Sequence, residues 1–66
     1  MEATQIAHDL RTRGIPARAE AANMVCVNGA LWITVYPATG TAAVDGAAPR
    51  TGIDALADDV LEAMRK

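Results

Sequence analysis

The dipeptide Asn28-Gly29 constrains the fold more than any other feature of this sequence, because it separates two runs rich in β-forming residues. The first run is Met24-Val25-Cys26-Val27, and the second extends from Ala30 to Tyr36. Asn and Gly tolerate the positive φ angles that a type I′ turn requires at both central positions, so the dipeptide predicts an antiparallel β-hairpin. The pairs expected for a two-residue loop are Val27 with Ala30, Cys26 with Leu31, Val25 with Trp32, and Met24 with Ile33.

Further strands are predicted on both sides of this hairpin. The segment Pro37 to Gly40 is typical of a turn, and Thr41 to Val44 is expected to form a short strand. Residues 15 to 20 are ambiguous, because apolar and polar residues alternate as in a strand, whereas alanine favours a helix. Pro16 indicates an edge strand if this segment is extended. The pairs expected across the turn are Tyr36 with Thr41, Val35 with Ala42, and Ile33 with Val44.

Both ends of the chain have the apolar spacing of an amphipathic helix. Residues 3 to 13 form the first predicted helix, which Gly14 is expected to end. Residues 53 to 65 form the second, and Thr51 followed by Asp54 resembles a capping box at its start. The apolar stripes are Ala3, Ile6, Ala7 and Leu10 in the first helix, and Ile53, Leu56, Ala57, Val60, Leu61 and Met64 in the second.

These elements predict a single α+β domain over residues 1–66. The expected order is a helix, three or four antiparallel strands and a helix, written α-β-β-β(-β)-α. Two helices that each have one apolar stripe can both cover the same face of the sheet, so the expected architecture is a two-layer sandwich. The opposite face of the sheet is then left without a covering layer.

Strand alternation divides the sheet residues between two faces. The face expected to meet the helices is uniformly apolar and consists of Met24, Cys26, Leu31, Ile33, Val35, Ala42 and Val44. The face expected to be open is mixed, and it contains both aromatic residues of the chain. Its residues are Arg18, Glu20, Val25, Val27, Ala30, Trp32, Thr34, Tyr36, Thr41, Ala43 and Asp45.

The aromatic residues on the open side of the sheet predict a protein interface. Trp32 and Tyr36 lie four residues apart on one strand, and an exposed apolar patch centred on a tryptophan is typical of an interface anchor. We expect Trp32, Tyr36, Val25, Thr34 and Arg18 to form this surface. The alternative is that Trp32 packs against long neighbours such as Arg18 and contributes only to folding.

The second predicted helix has an acidic face. Asp54, Asp58 and Glu62 recur at positions i, i+4 and i+8, with Asp59 beside them. Such faces are usually solvated, and acidic residues near the start of a helix interact favourably with its dipole. The alternative is that Asp54, Asp58 and Glu62 dock on a basic groove of a protein partner, including a groove that normally holds nucleic acid.

No group of residues in the sequence predicts catalysis, a metal site or a cofactor. His8 is the only histidine and is expected to be exposed, and Cys26 is expected to be a buried thiol on the core face. The chain has no serine, which excludes a serine-type catalytic triad. Its glycines have the spacing of turns and not of a phosphate-binding loop. We therefore expect no enzymatic activity, no cofactor and no small-molecule substrate.

The charge balance disfavours nucleic acid as the partner. Six Lys and Arg stand against eight Asp and Glu, which gives a net charge of −2, whereas proteins that coat nucleic acids usually have a basic excess. The abundance of alanine, and of arginine over lysine, is typical of a GC-rich bacterium or its phage. One cysteine, no signal pattern and no long apolar segment predict a cytoplasmic protein without membrane contact.

The element order resembles that of two known families. A helix that ends near Gly14, a hairpin that reaches Tyr36-Pro37, a turn at Gly40 and a closing helix are similar to the double-stranded-RNA-binding domain architecture. The small mRNA-cleaving toxins of the HicA type share this arrangement. Those toxins have a histidine on a sheet strand, which this chain lacks. The RNA-binding domains have lysines at the start of the last helix, where this chain has Asp54 and Asp58.

The expected function is therefore that of a small, non-enzymatic protein-interaction module. Such a module acts as a homodimer, or as an inhibitor or adaptor bound to a larger protein. A phage or mobile-element accessory protein, such as an anti-CRISPR-type inhibitor, is one example that fits the size and charge of the chain. The alternative is a small nucleic-acid-binding domain with the double-stranded-RNA-binding-like α-β-β-β-α order.

Overall fold

Two helices and four strands make up the structure, a computed structural model that describes all 66 residues. The four strands form one antiparallel sheet in the order β1-β2-β3-β4. The buried residues of both helices join one face of this sheet in a single core, which confirms the α+β two-layer sandwich. The elements in chain order are α1 (Ala3–Thr12), β1 (Ala17–Ala21), β2 (Met24–Val27), β3 (Leu31–Tyr36), β4 (Thr41–Val44) and α2 (Ile53–Met64).

The chain leaves α1 at Gly14, as the sequence predicted. Gly14 has a φ of +80°, a left-handed conformation that glycine adopts without steric cost. The Gly14 N–H donates to the Arg11 carbonyl at 3.0 Å, and the Ile15 N–H donates to the Leu10 carbonyl at 2.9 Å. These two bonds form a Schellman motif, which satisfies the last carbonyls of the helix and turns the chain toward the sheet.

The ambiguous segment before the hairpin forms a strand. β1 directly follows Pro16, and the Pro16 carbonyl accepts a hydrogen bond from the Asn28 N–H at 2.9 Å. Glu20 has no partner residue in β2 and forms a β-bulge near the end of the strand. The ladder to β2 and the burial of Ile15 and Ala17 outweigh the helix propensity of alanine. β1 therefore forms one edge of the sheet.

The hairpin between β2 and β3 is confirmed, but the predicted register is wrong by one residue. Asn28 and Gly29 have φ angles of +53° and +73°, as a type I′ turn requires, and the Ala30 N–H donates to the Val27 carbonyl at 3.1 Å. Ala30 nevertheless stays outside the ladder, so Val27 pairs with Leu31. The remaining pairs are Met24 with Thr34, Val25 with Ile33, and Cys26 with Trp32.

This one-residue shift reverses the faces of β2, because strand side chains alternate between the two sides of a sheet. Val25 and Val27 are fully buried among the core residues, whereas Met24 and Cys26 lie on the opposite face. Both predicted placements are therefore wrong. The physical reason is that the observed register buries two β-branched valines beside Ile33 in the core, instead of a flexible methionine and a thiol.

The second hairpin matches the predicted register, and a loop extends the sheet beyond it. Ile33 pairs with Val44, and Ala42 pairs with Val35 as expected. On its other side Ala42 forms two backbone hydrogen bonds with Arg50, at 3.0 and 2.7 Å. The connection between β4 and α2 therefore covers part of the outer edge of β4.

The start of α2 differs from the predicted capping box. The N-cap residue is Gly52, so Thr51 lies outside the helix, and no side chain caps its first N–H groups. Asp54 instead bonds the Arg13 guanidinium at the end of α1. The two helix ends are thus tied together by an ion pair that joins residues 41 positions apart in the chain.

Candidate protein-binding surface

One face of the sheet is left without a covering layer, because both helices pack on the other face. We call this surface the open face. Strand alternation and the pairing of the strands determine which side chains belong to it. Its residues are Arg18, Glu20, Met24, Cys26, Trp32, Thr34, Tyr36, Thr41, Ala43 and Asp45.

Trp32 and Tyr36 are the large exposed side chains of the open face. Trp32 is 41% exposed and Tyr36 is 44% exposed, and both lie on β3, on either side of the half-buried Thr34. Met24 lies beside Thr34 on β2, and its sulfur accepts a weak hydrogen bond from the Thr34 hydroxyl at 3.9 Å. The middle of the open face is therefore a mixed apolar strip with an aromatic ring at each end.

Val25 does not belong to this surface, although the sequence pattern placed it there. Its side chain is fully buried in the core, so a partner at the open face does not touch it. Cys26 takes the predicted position of Val25 opposite Trp32. The sequence pattern placed Met24 and Cys26 on the core face instead. The residue that reverses this assignment is Ala30, which lies unpaired between the turn and the first pair of the ladder.

Cys26 separates Arg18 from Trp32 across the sheet. Arg18 pairs with Cys26 on β1 and β2, and Cys26 pairs with Trp32 on β2 and β3. Arg18 contacts the carboxylate of Glu20 on its own strand at 3.5 Å, and both residues lie on the open face. The predicted binding residues Trp32, Thr34, Tyr36 and Arg18 thus share one surface, with Arg18 at its edge.

The acidic residues of α2 do not form a free acidic strip. Asp54 pairs with Arg13, and Glu62 pairs with Arg65 at 3.3 Å. Asp58 is exposed and forms no ion pair, so it is the one member of the predicted column that is not neutralised by a cation. This neutralisation weakens the interpretation of Asp54, Asp58 and Glu62 as a docking surface for a basic groove.

Asp59 forms the best-defined ion pair of the molecule. Arg50 donates two hydrogen bonds to its two carboxylate oxygens, at 2.8 and 3.1 Å. These bonds and the nearby positive charge lower the pKa of Asp59 below its ordinary value, against the opposing effect of partial burial. The same contacts raise the pKa of Arg50. Asp59 therefore holds the loop after β4 against α2 and is not a member of a solvated face.

The five arginine side chains are also engaged within the molecule. Four of the five arginines pair with carboxylates, and the fifth, Arg11, donates to the Ala17 carbonyl at 2.7 Å. The only cation of the open face is Arg18, which already contacts Glu20. Binding to a nucleic acid backbone requires a group of free cations, and this arrangement does not provide one.

A second exposed apolar patch lies on α2. Leu61 and Met64 belong to the stripe predicted to face the core, but they are 45% and 42% exposed. Met64 borders a shallow groove of about 270 Å³ between the end of α2 and the first hairpin, together with Ala30 and Leu31. This patch matches Trp32 and Tyr36 in exposure but lies on another side of the molecule.

Trp32 and Tyr36 line none of the surface grooves. The largest groove, about 480 Å³, lies between the start of α1 and the end of β1. Small-molecule sites are usually concave, and the two rings lie outside the concave parts of the surface.

The residues considered for other chemistry remain dispersed. His8 is exposed on α1, as predicted, and Cys26 is buried but on the opposite face from the one expected. No three His, Cys, Asp or Glu side chains come together in a way that holds a metal ion. Neither helix has the length and hydrophobicity needed to cross a membrane.

Comparison of this chain with protein families, with curated proteins and with solved structures finds no match. The similarity to the double-stranded-RNA-binding domains and the toxins therefore rests on element order alone. The structure has four strands in that order, whereas the resemblance was to an arrangement with three.

Proposed function

We propose that this chain is a protein-interaction module that binds a partner protein through the open face. The observation that carries the proposal is the exposure of Trp32 and Tyr36 on the face that the two helices leave uncovered. Tryptophan and tyrosine supply large contact areas with few rotatable bonds, and they are enriched among the residues that dominate binding energy.

The surroundings of the two rings support a protein as the partner. The half-buried Met24 and Thr34 lie between the rings and provide a continuous, mostly apolar contact area. Charged residues lie at the margins, at Arg18, Glu20 and Asp45. An apolar centre with a polar rim is the usual composition of a protein–protein interface.

An inhibitor or adaptor of a larger protein is the role that this surface fits. Such a protein acts by occupying a surface of its target, which requires a rigid binding face and no catalytic group. The sheet supplies that rigidity, because β3 is paired on both sides, with β2 and with β4. Trp32 and Tyr36 therefore project from one of the two inner strands of the sheet.

The proposal is tested by comparing two matched double variants. Each is tagged and used for a pull-down from the lysate of a bacterium with a GC-rich genome. Trp32→Ser with Tyr36→Ser removes the rings of the open face, and Leu61→Ser with Met64→Ser removes equally exposed side chains from α2. We expect wild type and the α2 variant to retain the same protein, and the open-face variant to lose it. Circular dichroism checks that both variants fold, which their exposed positions favour.

The opposite pattern contradicts the proposal. If the α2 variant loses the protein and the open-face variant retains it, the binding surface is the patch at Leu61 and Met64. If nuclease treatment of the lysate releases all bound material, the chain binds nucleic acid or a complex assembled on it.

A further inference from the structure

The outer edge of β1 carries backbone groups with no partner in the sheet. β1 is the terminal strand, so each residue that turns its N–H and C=O away from β2 presents them to solvent. The groups that point toward β2 are identified by the bond from the Asn28 N–H to the Pro16 carbonyl. These directions alternate along a strand. The backbone N–H and C=O of Arg18 therefore point toward β2, whereas those of Ala17 and Ala19 point away from the sheet.

A second bond confirms this orientation independently. The Arg11 guanidinium reaches from α1 to the Ala17 carbonyl at 2.7 Å, and it does so from outside the sheet, since α1 is not a strand of the ladder. Arg11 therefore satisfies the outward carbonyl of Ala17. The N–H and C=O of Ala19 are the next outward pair along β1, and no residue of this chain lies beside them in the sheet.

The opposite edge of the sheet is treated differently. The outer side of β4 is bridged at Ala42 by two backbone bonds to Arg50, and Arg50 is itself held by Asp59. The chain thus covers one edge with its own loop and leaves the other available. An available edge strand can pair with a further strand through main-chain hydrogen bonds.

We propose that the partner at this edge is a second copy of the chain, whose β1 pairs antiparallel with the first across a two-fold axis at Ala19. In this register Ala19 of each copy donates its N–H to the Ala19 carbonyl of the other. The bulge at Glu20 restricts regular pairing to the centre of the strand, so the Arg11 bond to Ala17 is kept.

The charges of β1 are complementary in this register and in no parallel arrangement. Arg18 and Glu20 flank Ala19 on the same face of the strand. A two-fold axis at Ala19 places Arg18 of one copy opposite Glu20 of the other, twice. Opposite charges directly across two strands stabilise the pair, and like charges destabilise it. In this register the exposed Arg18 side chain lies between Glu20 of its own strand, which it already contacts, and Glu20 of the other copy.

Pairing at this edge joins two four-stranded sheets into one of eight strands, with both open faces on the same side. The inference concerns the edge of β1, which shares only the marginal residues Arg18 and Glu20 with the proposed binding surface, and it does not depend on the proposed function. Trp32 stays exposed in the dimer, because β2 lies between it and the joined edges.

Analytical ultracentrifugation of wild type, Arg18→Glu and Glu20→Arg tests the inference. Each single variant places like charges opposite each other in a homodimer. We therefore expect the association constant of its dimer to fall by more than about tenfold. The two variants mixed in equal amounts have complementary charges at both pairs, so the mixture should dimerise again. The double variant Arg18→Glu with Glu20→Arg, which exchanges the charges within one chain, should also dimerise like wild type.

Two results overturn the inference. The first is a wild-type chain that remains monomeric up to roughly 1 mM, where a binding free energy of only about −4 kcal/mol suffices for association; any partner at the edge is then a different chain. The second is a dimer whose stability is the same in both single variants and in their mixture. Trp32→Ser with Tyr36→Ser serves as the control that leaves the dimer unchanged, so failure of this inference and failure of the proposed function are distinguished.

Discussion

At the scale of single residues, a few long-range polar contacts around a small apolar core fix the positions of the loops and helices. Arg50 connects the loop after β4 to two elements, because its backbone pairs with β4 at Ala42 and its guanidinium holds Asp59 on α2. The core itself contains no buried polar side chain. The Arg50–Asp59 pair lies near the surface, and its contribution to stability depends on whether the Asp59 carboxylate is charged.

The first prediction concerns the pH dependence of that pair. The pKa of Asp59 is lowered in the folded protein, so its stabilising effect is complete above the unfolded-state pKa of about 3.9 and is lost as pH falls through the lower folded value. Asp59→Asn should therefore unfold at lower temperature than wild type near neutral pH. The difference should shrink below about pH 4.

Thermal unfolding followed by circular dichroism between neutral and acidic pH measures this difference. Asp58→Asn is the matched control, because Asp58 is an exposed carboxylate on the same helix without an ion pair, and its removal should change the unfolding temperature little. A gap between wild type and Asp59→Asn that is constant down to the lowest pH contradicts the assigned role.

The second prediction tests the left-handed residue of the first hairpin turn. Gly29 has a φ of +73°, so Gly29→Ser should lower the free energy of unfolding by about 1–2 kcal/mol. Gly52→Ser adds the same side chain at a φ of −122° and supplies the missing N-cap of α2, so it should be neutral or stabilising by a few tenths of a kcal/mol, roughly. Urea denaturation compares them. Equal losses of unfolding free energy in Gly29→Ser and Gly52→Ser contradict the assignment of Gly29 to a left-handed turn position.

At the scale of elements, the register of the first hairpin determines what each face of the sheet presents. The turn has the type I′ angles that Asn28-Gly29 predicts, yet Ala30 follows it as an unpaired residue and shifts β3 by one position. As a consequence Val25 moves into the core and Cys26 moves onto the open face. A single unpaired residue thus exchanges the two sides of β2.

The third prediction tests this register by truncating neighbouring residues of β2. Val25→Ala removes two methyl groups from the core and should cost about 2 kcal/mol of unfolding free energy. Cys26→Ala removes only a thiol from a buried side chain that lies outside the core cluster, on the open face, and should cost less than about 1 kcal/mol. Urea denaturation gives both values. A larger loss for Cys26→Ala supports the two-residue loop register and contradicts the observed one.

At the scale of the whole molecule, two helices and one sheet produce a molecule with one covered face and one open face. The core residues come from both helices and from a single side of the sheet, so the other side has no covering layer. The rings of Trp32 and Tyr36 on that side and the available edge at β1 are the two surfaces at which we propose association, whereas the edge at β4 is bridged by the chain's own loop.

Local patterns in the sequence were sufficient for the elements and for the layer architecture. The helix stop at Gly14, the turn at Asn28-Gly29 and the apolar stripe of α1 each depend on neighbouring residues, and the structure confirms them. The stripe predicted for α2 is confirmed only in part, because Leu61 and Met64 are exposed. The strand β1 could not be decided in the same way, because its stability comes from the ladder to β2. Long-range effects also decide the pairing of Asp54 with Arg13 and the burial of Val25, which no local spacing reveals.

The central claim is that the open face is the surface at which this protein meets its partner, and the fluorescence of Trp32 tests it most directly. Trp32 is the only tryptophan of the chain, so its emission reports on the open face alone. The partner identified by pull-down is purified and titrated into the protein, and any emission from the partner's own tryptophans is subtracted. Binding should shift the Trp32 emission to shorter wavelength and reduce its quenching by acrylamide. Binding that leaves both the emission and the quenching of Trp32 unchanged contradicts the claim.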